Sequence, residues 1–261
     1  MKRYMILAVV AVMMLTSACK TSEGTMDRKP IDVGVAIAQR AHNRLYLDTE
    51  IIRLALACDT YLATDDSDTH DDLLKDIFKG TYTVEYDSEA NVISLVTTYS
   101  GRAYVKFTTS GGLLRDGATW TTDEVYNLTF EPKGDAIEVY TTVSESGNAL
   151  INKYNFTLSN ISYSKADGLC YDMDGAMHIF DSSASRVFDA TIDETLSFST
   201  DINVGGYNLV RKGFYAGKMT VIYTDTYRGY EDHVTMEYSN DRSILVGYLG
   251  EQGYAQNNAW K

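Results

Sequence analysis

Residues 81–86 read TYTVEY, and within them Tyr82, Val84 and Tyr86 alternate with Thr81, Thr83 and Glu85. A period of two marks a strand with one face buried and the other wet. The same alternation returns at Tyr126, Leu128 and Phe130, and again at Tyr154, Phe156 and Leu158. Turn residues punctuate these runs: Ser100-Gly101, Asp116-Gly117, Pro132-Lys133-Gly134-Asp135, Ser146-Gly147-Asn148, Asp167-Gly168, Asp174-Gly175, Gly205-Gly206, Arg228-Gly229 and Asn240-Asp241. Glycine and Asx residues supply the positive φ angles of tight hairpins, so the text reads as a long antiparallel meander and not as alternating βαβ units.

Upstream of Thr81 the period is helical. Val33 to about Ala63 lacks proline and is rich in Ala, Leu, Ile and Arg. Asp32, after Pro30, is the expected N-cap, and Asp48-Thr49-Glu50 reads as a second helix start, giving two helices or one kinked one. A third helix is expected over Asp71–Lys79, with Leu73, Leu74, Ile77 and Phe78 on one side and Gly80 ending it. The fold expected is therefore α+β and predominantly β, a sandwich or curled half-barrel with the helices over an open face or end. It forms a single domain over 31–261: a helical part (31–80), an antiparallel β part (81–250) and a tail (251–261).

The first eighteen residues carry a different signal. Lys2 and Arg3 precede an unbroken apolar run from Met5 to Leu15, followed by the small residues Thr16, Ser17 and Ala18. The run is too short to span a hydrocarbon core of about 30 Å and has the order of a cleaved secretory signal. Leu15-Thr16-Ser17-Ala18-Cys19 resembles the lipobox of bacterial lipoproteins, and the Tyr-rich meander that follows it is similar to envelope lipoproteins of the Bacteroidetes. That resemblance implies lipidation of Cys19, membrane attachment through it, and, with Lys20 and not Asp following, the outer membrane. Each buried methylene contributes roughly 0.8 kcal/mol, so two or three acyl chains would hold the protein firmly. Residues 20–30 read as a polar tether.

The formal net charge is −13, and removal of the signal makes it more negative. That balance excludes nucleic-acid phosphate backbones as partners and docking on anionic headgroups by charge. No Gly-x-Ser-x-Gly elbow, phosphate-binding Gly-Lys-Ser/Thr loop, dinucleotide fingerprint, His-Glu-x-x-His or Cys-x-x-Cys occurs, and no cofactor or metal is expected. Beyond Cys19, only Cys58 and Cys170 remain, either bridging the helical part to the sheet or standing as two buried thiols. The acidic run from Asp65 to Asp72 lacks calcium-loop spacing and reads as a loop leading into the third helix. Asp172-Met173-Asp174-Gly175 reads as a hairpin, with Leu169–Met173 and Ala176–Asp181 as its arms.

One segment concentrates binding chemistry. Tyr227, Arg228, Tyr230, Glu231, Asp232 and His233 crowd the join between two strands, offering flat faces for stacking and charges for hydrogen bonds to a saccharide or protein ligand. The function expected is a non-enzymatic binding or structural module on a lipid anchor. The alternatives are a glycan hydrolase, with paired carboxylates about 5 to 9.5 Å apart across a cleft, and a subunit that donates a strand at an open sheet edge.

Overall fold

A computed structural model describes residues 29–76, 82–142, 152–164, 167–181, 185–199, 213–239 and 243–257. Cys19 and the signal lie outside them, as do the turns at 146–148, 205–206 and 240–241 and the helix-ending positions 77–80. Among the described residues three helices come first: α1 (Pro30–Asp48), α2 (Glu50–Leu62) and α3 (Ser67–Asp76). Thirteen strands follow: β1 (Tyr82–Asp87), β2 (Val92–Thr97), β3 (Ala103–Thr109), β4 (Trp120–Thr122), β5 (Leu128–Lys133), β6 (Ala136–Thr141), β7 (Lys153–Ser164), β8 (Gly168–Asp181), β9 (Arg186–Ser199), β10 (Gly213–Asp225), β11 (Tyr230–Tyr238), β12 (Ser243–Tyr248) and β13 (Glu251–Gln256). They form one antiparallel sheet in strictly sequential order, open between β1 and β13. The meander is thus the fold, and the expected tail contributes its last strand at 251–256. No described helix is long and apolar enough to cross a membrane.

The helices lie on the core face of the sheet. α1 packs on β10 through β13, and the approach is close enough that a Cβ on Gly34 would meet the Tyr248 ring. Arg53 of α2 lies over the Phe198 ring of β9, and Asp59 at the end of α2 reaches the loop between β3 and β4. The core between the layers is one continuous cluster, with Trp120, Phe107, Phe130, Phe156, Phe198 and Phe214 among its largest fully buried side chains. Edge-to-face pairs run through it, Phe107–Phe130 at 6.1 Å and Phe198–Phe214 at 5.5 Å.

Three local expectations are corrected. Asp32 is not the N-cap. The helix begins at Pro30, and Asp32, inside the first turn, accepts the Lys29 backbone N–H at 3.2 Å. α3 begins at Ser67, because Asp66 caps it by accepting from both the N–H and the hydroxyl of Thr69. Asp172–Gly175 is no hairpin: β8 runs unbroken through it. Gly175, at φ 122°, sits in a register shift against β9 where a Cβ would collide with the Asn155 carbonyl. A glycine before a strand residue reads the same whether the chain turns back or only bulges.

Both sheet ends carry features that guard part of the edge. β1 is six residues long and carries Glu85 and Asp87. At the other end, Gln39 of α1 donates to the Gln256 carbonyl at 3.0 Å and accepts its N–H at 2.8 Å, pairing both backbone groups of that edge residue. Short, charged or covered edges discourage the addition of a foreign strand.

Candidate functional site

The segment from Tyr227 to His233 folds as expected, with a tight turn joining β10 to β11. Asp225, buried at the end of β10, accepts the backbone N–H of Tyr227 at 3.1 Å and of Arg228 at 2.8 Å. Thr226 ties the turn to the Ser185 carbonyl through both its N–H and its hydroxyl. The turn is therefore well built, but strand alternation divides its functional groups. Tyr230 and Asp232 share the face of Val234 and Met236, where Asp232 accepts the Tyr248 hydroxyl at 2.5 Å and Tyr230 lies 6.1 Å from the Tyr223 ring. Hydrogen bonding to that carboxylate pushes the Tyr248 phenol up to about 12. Glu231 and His233 point to solvent as a surface pair at 2.8 Å. Tyr227 is 87% exposed and stands away from both groups at the tip with Arg228. The six residues do not converge on one surface.

The two cysteines are unbridged. Cys58 is fully buried in α2, and burial pushes its thiol far up; Cys170 on β8 directs its thiol at the Asp167 carbonyl and the Ser199 hydroxyl. No group of three or more His, Cys, Asp or Glu side chains among the described residues is placed to hold a metal ion. His70 has a structural task. Its Nε2 lies 2.8 Å from the Tyr61 carbonyl and 2.7 Å from that of Thr64, with its ring stacked 4.1 Å from Tyr61, closing the end of α2.

A cleft lies beside that helix end. It holds about 600 Å³ between the last turn of α2, Thr64 after it, Thr69 in the first turn of α3, the 3-10 turn Leu114–Asp116, the β5–β6 hairpin at Pro132–Ala136, and Ile161–Tyr163 of β7. Its floor is a charged bracket. Asp59 Oδ1 accepts the Leu114 N–H at 2.7 Å and the Arg115 N–H at 3.4 Å, while Oδ2 accepts Arg115 Nε at 3.1 Å. The 3-10 turn presents to Asp59 the N–H groups that a helix start leaves unsatisfied, and Gly117 at φ 90° lets the chain leave the turn sharply. Burial raises the Asp59 carboxyl above the usual carboxylate range, against the opposing pull of Arg115 and the two N–H donors.

Nothing in the sequence marked this cleft. Asp59 sits among the apolar residues of α2, and Arg115 precedes Asp116-Gly117, which reads only as a turn. A charged residue on the otherwise buried face of a predicted helix was the available signal. Compared with known proteins, the chain matches no family model, no curated protein and no solved structure.

Proposed function

We propose that this chain is a lipid-anchored, non-enzymatic binding module of the bacterial envelope, and that the cleft beside α2 receives the ligand. The supporting observation is the Asp59–Arg115 bracket. A pocket of this volume suits a small ligand, and its charged floor is held in place by the backbone. Both Asp59 oxygens are occupied by donors, so the carboxylate serves as a scaffold and not as a free acid or base facing a partner carboxylate. That favours binding over glycan hydrolysis, and the partly guarded sheet ends argue against strand donation. The anchor rests on the lipobox at Cys19 alone.

Two measurements test the reading. Cys19→Ala is expected to move the protein from membranes to the soluble fraction; a variant that still pellets after a high-salt wash contradicts the anchor. On a glycan and peptide array, the protein is expected to bind a defined ligand class, and Ser162→Trp, a bulky addition at an exposed position on the cleft wall, is expected to abolish it. Binding untouched by that obstruction places the ligand elsewhere.

A further inference from the structure

Arg115 is anchored at one end only. Its Nε is held by Asp59, its side chain is 45% exposed, and its two terminal amino groups have no acceptor among the described residues. A guanidinium fixed through Nε keeps its plane and leaves the opposite edge open, a geometry that matches the two oxygens of a carboxylate. Arg115 is one of the residues that line the cleft.

The walls add hydroxyls of both kinds. Thr60 donates its proton to the Leu56 carbonyl and Thr69 donates to Asp66, so each keeps lone pairs for a ligand; Thr64 accepts the Asp66 N–H and keeps its proton to give. The Ser162 hydroxyl has no hydrogen-bond partner among the described residues. Pro132 and Ile161 supply apolar surface between them. Ring hydroxyls both donate and accept, and ring C–H faces pack on apolar walls. A dianion fits poorly, because Asp59 and Asp135 line the same cleft in a chain of net charge −13.

Resting on the binding-module reading, we propose that the cleft takes an acidic sugar of the uronate class, its carboxylate held on the open edge of Arg115 and its hydroxyls met by Thr60, Thr64, Thr69 and Ser162. The test is calorimetric titration of the full chain in detergent with a galacturonate disaccharide, its neutral galactose counterpart and glucose 6-phosphate. The uronate is expected to bind, with the neutral and phosphorylated sugars at least about tenfold weaker. Arg115→Ala is expected to weaken uronate binding at least about tenfold. Arg115→Lys, which keeps the charge beside Asp59 but loses the planar fork, is expected to weaken it roughly fivefold with the melting temperature retained. Uronate binding that ignores both Arg115 variants overturns the proposal, as does equal binding of the neutral sugar. If a neutral ligand binds and Ser162→Trp removes it, the acid class falls while the binding-module reading stands; if neither the array nor the titration finds a ligand, both fall.

Discussion

In the β10–β11 turn, two tyrosines, an arginine, two carboxylates and a histidine lie within seven consecutive residues, yet the strand they enter sends Tyr230 and Asp232 to the core face and Glu231 and His233 to solvent. In the cleft, Asp59 and Arg115 stand 56 positions apart, yet a helix end and a 3-10 turn bring their side chains to 3.1 Å. Crowding along a sequence is not convergence in space. On a regular strand neighbouring side chains alternate between faces, whereas a meander with helices on one face gathers residues from the joins of distant elements.

Acid provides the largest expected effect and separates the cleft from the helix–sheet seam. His42 of α1 is fully buried with its Nδ1 3.2 Å from the Tyr238 hydroxyl, and burial lowers its pKa to about 4. The unfolded chain therefore takes up a proton at this residue near pH 6.5, while the folded one resists until about pH 4. Stability is expected to fall across that window by about 3 kcal/mol. Asp59 works in the other sense: its raised pKa means the folded state accepts its proton above the unfolded value of 3.8, which adds stability as pH drops. Denaturant melts from pH 7 to 4 should show the net loss. His42→Gln should flatten the slope, and Asp59→Asn should steepen its acid end. A flat profile in the parent protein contradicts the burial of His42.

Substitutions at the two regions should rank in order. Asp59→Ala strands two backbone N–H groups and frees Arg115, an expected cost of about 3 kcal/mol in chemical denaturation. Asp225→Ala removes the acceptor for the Tyr227 and Arg228 N–H groups, with about 1 kcal/mol lost. Tyr227→Ala with Tyr230→Ala should stay within about 0.5 kcal/mol, since both side chains are exposed, Tyr227 at 87% and Tyr230 at 39%. An inverted order would mean that the turn, and not the bracket, holds its neighbourhood together.

The strand alternation at Tyr82–Tyr86 and Tyr154–Leu158 and the helix break at Thr49 could be read from local pattern, because both depend on neighbours within a few positions. Gly175 misled, since its positive φ serves a bulge that only the pairing with β9 defines. The start of α3 was missed because Asp66, one of five aspartates within nine residues, is singled out as a cap only by Thr69 folding back on it. The cleft was beyond reach for the same reason at longer range. Its walls come from α2, the β3–β4 loop, β5–β6 and β7, and no short window contains two of its charged groups in register.

The account turns on which region meets the ligand. The most direct measurement is the dissociation constant of one array-selected ligand for three proteins side by side: the parent, Arg115→Lys, and the Tyr227→Ala/Tyr230→Ala pair. The cleft account predicts a weakening of roughly fivefold or more for Arg115→Lys and none for the tyrosine pair, at unchanged melting temperatures. A ligand lost with the tyrosines and retained by Arg115→Lys would contradict it and return the site to the turn.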